Sequence, residues 1–113
     1  MPQPNSYTPD YALRQIGGKW KMPILWRLGQ HSPWRYSELF RDLEKITDKM
    51  LSQQLKELER DNLIQRKLYP VVPPKVEYSL TEKGRATLPA IEGLCHLNGT
   101  LAGLDAKLDT PSA

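Results

Sequence analysis

The chain of 113 residues contains a single cysteine, Cys95, so no internal disulfide can form and the fold must hold by packing. Cys95 has no Cys or His cluster around it at a zinc-ligand spacing, and His31 and His96 lie far apart in unrelated segments, so no metal centre is implied. No apolar run approaches the roughly 18 to 20 residues that cross a bilayer. Residues 1–10 are polar and proline-rich and lack the basic start and apolar centre of a secretory signal, which makes the cytoplasm the expected location. No nucleophile, base and orienting group can be assembled from the polar residues, so an enzyme is not expected and no cofactor is implied. The length suits one domain and is too short for a catalytic domain plus a separate regulatory one.

The charge present is modest but unevenly placed. The formal net charge is +3, and by segment it is +4 over 1–36, −2 over 37–61, +3 over 62–85 and −2 over 86–113. Such a balance is compatible with a nucleic-acid partner without requiring one.

Along the chain, a polar arm over 1–7 precedes Thr8-Pro9-Asp10, which reads as a helix start with Thr8 as N-cap. Gly17-Gly18 ends that helix. Trp20 to Leu28 predicts a second helix closed by Gly29; Pro23 inside it marks either the true start or a kink, and the kink is the preferred reading. Trp34-Arg35-Tyr36 predicts a brief strand and Ser37 the cap of a short helix through Leu39, Phe40 and Leu43. Thr47 then caps the clearest amphipathic helix, Lys49 to Asp61, with Leu51, Leu55 and Leu58 on one face. Lys49, Gln53, Lys56 and Arg60 fall opposite, with Ser52 and Glu57 at the flanks. From Leu63 the period changes to two, Pro70 to Pro74 forms a stiff tip, and Lys75 to Leu80 alternates again, which predicts a hairpin. Thr81-Glu82 restarts a helix, taken as running over about 82–108, and 109–113 reads as a frayed tail.

Short helix, tight turn, amphipathic helix and immediate hairpin is the winged helix-turn-helix order, a mainly α fold with a small β-hairpin wing (α+β). Its second helix suits the major groove and its hairpin the flanking backbone. Lys49, Ser52, Gln53 and Lys56 are the candidates for base readout, because Gln can pair with adenine, Lys with guanine or phosphate, and Ser with either kind of group. A solvated surface helix would carry the same residues; the hairpin that follows favours double-stranded DNA as partner. Arg35, Ser37, Thr47, Lys67 and Lys75 are candidates for phosphate contact or the wing, with surface decoration an equal reading for Arg35 and Ser37.

Ile16-Gly17-Gly18-Lys19-Trp20, Arg35-Tyr36-Ser37-Glu38-Leu39, Leu51-Ser52-Gln53-Gln54-Leu55-Lys56-Glu57-Leu58 and Pro73-Pro74-Lys75-Val76-Glu77-Tyr78-Ser79-Leu80-Thr81-Glu82-Lys83-Gly84 stand in the order and spacing of the signatures of the HxlR-type regulators, dimeric winged-helix proteins related to the MarR group. The chain resembles them over roughly Thr8 to Leu97. The resemblance implies a DNA-binding regulator, read as a repressor, that dimerises through its terminal helices. Two departures stand out. The reactive cysteine many members carry in a Cys-Pro pair, aligned roughly with Tyr7-Thr8, is absent, which excludes thiol switching at that site. The family's tryptophan near the domain end is Leu97 here.

The apolar stripe from Leu88 to Leu108 is longer than so small a core can cover, which implies a partner surface; Leu94, Leu97, Leu101 and Leu104 are the candidate interface of a homodimer. Gly99 and Gly103 would let two helices approach closely, or Asn98-Gly99 would break the helix. Cys95 reads as an inert, buried or half-buried thiol rather than a sensor. Trp20, Trp26 and Trp34 either pack the core or line a pocket for a small-molecule effector. The rival function is a winged-helix protein-interaction module that does not bind DNA, favoured slightly by Glu57, Glu59 and Asp61.

Overall fold

In the computed structural model, which describes residues 8–109, helices and strands begin and end mostly where short-range chemistry dictates. The expected arm over 1–7 and residues 110–113 of the expected tail lie outside the described residues. The order is α1 (Asp10–Ile16), α2 (Lys21–Gln30), β1 (Trp34–Arg35), α3 (Tyr36–Asp42), α4 (Asp48–Arg60), β2 (Ile64–Tyr69), β3 (Lys75–Leu80), α5 (Glu82–Arg85) and α6 (Leu88–Asp109).

The threonine caps form as chemistry suggests at two places: Thr47 Oγ1 accepts from Met50 N–H at 3.1 Å, and Thr81 Oγ1 from Gly84 N–H at 3.0 Å. Others shift. Pro9 rather than Thr8 is the N-cap of α1. Arg35 rather than Ser37 is the N-cap of α3, where the Glu38 carboxylate accepts from Arg35 N–H at 2.8 Å. Pro23 does not kink α2: with Trp20 as N-cap it is the third helical residue, where a missing N–H costs no intrahelical bond. Gly29 does not close α2, which runs one residue further.

The expected helix over 82–108 is two helices. Pro89 lacks the N–H that would bond the Arg85 carbonyl, so α5 stops, the Thr87 hydroxyl donates to Gly84 O at 2.6 Å, and α6 begins afresh. From there α6 continues without a break through Asn98-Gly99 to Asp109, which closes the helix rather than opening the tail.

The three strands form one antiparallel sheet in the order β1-β3-β2. The hairpin therefore gains a third, two-residue strand on the far edge of β3, with Trp34 opposite Tyr78 and Arg35 opposite Glu77. The core gathers Ile24, Leu25 and Leu28 of α2, Leu39 of α3, Leu51, Leu55 and Leu58 of α4, and Leu63, Ile64 and Leu80 of the hairpin. From α6, Ile91 is buried in it and Leu88 packs against it. Beyond Ile91, α6 leaves the body, and the radius of gyration of 17.1 Å exceeds the ~13 Å of a compact chain of this size.

Gly84 is where α5 presses on the root of the hairpin. A Cβ there would stand 2.0 Å from the Leu63 carbonyl oxygen and 3.1 Å from Leu80 Cδ2. Backbone cannot yield as a flexible side chain can, so Gly84→Ala is expected to destabilise the fold by about 1–3 kcal/mol in urea unfolding; an unchanged midpoint would show that α5 can move off Leu63 and Leu80.

Candidate nucleic-acid interface

Burial of Leu51, Leu55 and Leu58 turns the other side of α4 outward. Lys49, Gln53, Lys56 and Arg60 are exposed and Ser52 half-buried, and together with Glu57 they line one shallow depression along the helix. The four residues expected to read bases are thus brought side by side, and Arg60 joins them at the C-terminal end.

The turn before α4 passes through Glu44 and Lys45 with φ of 39° and 60°, left-handed conformations that cost about 1–2 kcal/mol each for such residues. A tyrosine holds the two helices that this turn joins. Tyr36, the first residue of α3, donates its phenol proton to Asp48, the first residue of α4, where both the carbonyl oxygen at 3.0 Å and the carboxylate Oδ1 are within reach, and Ser52 Oγ lies 3.2 Å from the same phenol oxygen. Burial, and next the hydrogen bond to the Asp48 carboxylate, raises the Tyr36 phenol above its ordinary pKa. Motif reading did not assign Tyr36 a site role; its position at the start of the helix preceding the recognition helix was the available signal.

Among the phosphate candidates, Arg35 and Ser37 are exposed at the start of α3. Thr47 is exposed, and its oxygen is engaged in capping α4 while its proton stays available to an anion. At the wing, Lys67 Nζ stands 4.9 Å and Lys75 Nζ 4.6 Å from the centroid of one ring, that of Tyr69, which gathers both cations at the hairpin end. Arg66 was also missed. It pairs with Tyr78 across the ladder and lines the groove between α4 and the sheet with Tyr36, Ser52, Lys56 and Glu59. A cation at a strand position flanked two residues away on each side by Ile64 and Leu68 was its signal.

The acidic residues of α4 are not equivalent. Lys21 of α2 is buried and its ammonium donates to Glu57 Oε1 at 3.1 Å, so Glu57 answers a charge in the body. Asp61 accepts from Arg60 at 3.4 Å.

Of the two readings of the tryptophans, core packing holds: Trp34 is buried in the core and Trp20 and Trp26 pack against it, while Trp26 also lines a cleft between α2 and α6 with Met22, Ile91, Leu94 and Cys95. Trp34 Nε1 donates to the Arg27 and His31 carbonyls at 2.8 and 3.0 Å, and its ring stacks on His31. One expectation is corrected. Cys95 is exposed, not buried, because α6 has left the core at that point.

The model of the family described as HxlR-like helix-turn-helix matches residues 15–103, spanning α2, the helix-turn-helix, the wing and most of α6. The chain belongs to the HxlR-like helix-turn-helix family. It is 58% identical over 85 residues to an HTH-type transcriptional regulator of Halalkalibacterium halodurans, an overlap covering 75% of each chain. Among solved structures it is similar to the transcriptional regulator YtcD, with 46% identity, a TM-score of 0.78, and 83% of this chain and 95% of that one covered. It is also similar to the redox regulator HypR in its reduced form, with 37% identity, a TM-score of 0.81, and 88% and 99% covered. The fold is the winged helix of these regulators, and the activity is DNA-binding transcription regulation. The family is one of regulators, not enzymes. No helix among the described residues is long and apolar enough to cross a membrane.

The Lys21–Glu57 pair generates an asymmetric expectation. Glu57→Gln, which leaves the Lys21 ammonium without its counter-charge, should cost about 1–3 kcal/mol in stability. Lys21→Met should stay within about 1.5 kcal/mol of the parent, because an apolar side chain of similar volume suits the site. Chemical denaturation of both variants checks this; equal losses would mean that the pair itself, not the stranded charge, matters.

Proposed function

We propose that the chain is a cytoplasmic, non-enzymatic repressor that binds a pseudo-palindromic operator as a homodimer, with the α4 helices entering successive major grooves about one helical turn apart. The observation that carries this reading is the single exposed surface on α4 formed by Lys49, Ser52, Gln53 and Lys56, with the wing beside it. These four residues read bases. Arg35, Ser37, Thr47, Lys67 and Lys75 hold phosphates or the wing's position, and Arg66 and Arg60 join them. Repression needs only that the duplex be occupied, whereas activation needs a further surface for the transcription machinery.

Dimer formation is supported by what α6 leaves uncovered. Leu94, Leu97, Leu101 and Leu104 are 42–50% exposed, and a Cβ added at Gly99 or Gly103 would meet nothing within 4 Å. The interface is assigned to these four leucines. A small-molecule effector is assigned to the neighbouring cleft between α2 and α6; its support is the apolar lining of Trp26, Met22, Ile91 and Leu94, with Lys19 and Arg27 among the lining cations.

Binding to operator and to random duplex separates the two kinds of contact. Gln53→Ala should weaken operator binding by about tenfold and leave random-duplex binding unchanged, whereas Lys75→Ala should weaken both and lower the salt slope by about one unit. Equal loss on both duplexes for Gln53→Ala would remove it from base readout. A chain that shifts no genomic fragment at any salt concentration would instead favour the protein-interaction module.

Leu101→Glu, on a face that is open in the single chain, should leave the melting temperature of the body nearly unchanged while converting a dimer into a monomer in sedimentation. A variant that still sediments as a dimer would place the interface elsewhere.

A further inference from the structure

A serine hydroxyl can give or take a hydrogen bond, and which it does decides the base edge it can read. For Ser52 the choice is constrained from within the protein. The Tyr36 phenol oxygen is met by the Asp48 carbonyl, the Asp48 carboxylate and Ser52 Oγ. Both Asp48 oxygens can only accept, so the one phenol proton goes to Asp48, and toward Ser52 the phenol offers a lone pair. Ser52 is then the donor across the 3.2 Å contact, and its single proton is turned inward. The phenol keeps its proton at neutral pH, since burial and the Asp48 carboxylate both raise its pKa.

Ser52 lies at the junction of two surfaces, the groove it shares with Tyr36, Lys56 and Arg66 and the outer depression it shares with Lys49 and Gln53. Its oxygen reaches the DNA side with lone pairs alone. In the major groove the exocyclic donors are adenine N6 and cytosine N4, while guanine O6 and thymine O4 are acceptors. An acceptor that meets a keto oxygen has no proton to share.

We propose that Tyr36 and Asp48 set the polarity of the Ser52 hydroxyl, so that Ser52 selects adenine or cytosine over guanine or thymine at the base it faces. Tyr36 is then a positioning residue for specificity, acting through Ser52. The proposal rests on the base-reading role assigned to Ser52 above, and the test keeps the two apart.

The experiment is selection of bound duplexes from a random pool by the full chain and by Ser52→Ala, Ser52→Thr and Tyr36→Phe. At one position per half-site the parent and Ser52→Thr should select A or C about fivefold over G or T, and Ser52→Ala should lose that preference. Tyr36→Phe keeps the ring, whose centroid lies 6.4 Å from that of Phe40, but frees the Ser52 proton. It should accept G or T at the same position and leave the other positions unchanged, a shift in base identity that mere loosening of the helix would not produce. A parent preference for G or T at the position that depends on Ser52, or Tyr36→Phe with an unaltered preference there, overturns the polarity assignment and leaves base reading intact. If Ser52→Ala selects the same sequences as the parent, base reading by Ser52 falls and the proposal with it. The sign of the preference comes from the parent and the Ser52 variants, so the test does not depend on how well Tyr36→Phe folds.

Discussion

Leu51, Leu55 and Leu58 fix the rotation of α4 about its own axis, because turning the helix by one residue would carry a buried leucine into water and a lysine or glutamine into the core. Everything proposed for the DNA-facing surface depends on that setting. The Lys21–Glu57 pair reinforces it from the flank: the ammonium is buried and has its carboxylate at 3.1 Å, so a rotation that removed Glu57 would strand a charge. Apolar burial supplies the force, and the ion pair narrows the angle at which it is satisfied.

The recognition surface is assembled from pieces distant in sequence. α4 supplies a row of side chains, α3 supplies the tyrosine that ties its start, and the wing supplies Arg66, which lines the groove beside α4. The turn between α3 and α4 takes two non-glycine residues into left-handed conformations. Packing of Leu39, Leu43 and Ile46 on one side and the Tyr36–Asp48 bond on the other hold it there. A third such residue, Asn62 with φ of 60°, turns the chain from α4 into β2.

Periodicity made α4 and the two long strands legible, because spacings of three and four, then of two, reflect which face is buried. The threonine caps before α4 and α5 were legible for the same local reason. What was not legible depends on contacts across the chain. Nothing near Pro23 says whether the helix starts just before it or passes through it; the packing of α2 decides. β1 was legible as a brief strand, but not its place on the edge of β3, where Trp34, anchored to carbonyls at the end of α2, stands opposite Tyr78. Pro89 divides α5 from α6 locally, whereas the restart at Thr81-Glu82 and the leucine spacing from Leu88 onward read as one helix. In the candidate interface, Lys49, Gln53 and Lys56 could be placed by face alone, whereas Glu57 reads as a surface acid until Lys21, 36 residues away, is seen beside it.

The lysines at the wing illustrate a different economy. A free lysine samples many rotamers and loses that freedom when it grips an anion, at a cost of roughly 0.5–1.5 kcal/mol for each side chain immobilised. Lys67 and Lys75 both rest on the Tyr69 ring, one from the same strand and one from the strand across the ladder. Their freedom is already reduced in the folded chain, because both ammonium groups have the same neutral ring as a neighbour. An uncharged residue thereby sets the entropy of a charged contact, and the hairpin meets an anion with its cations already arranged.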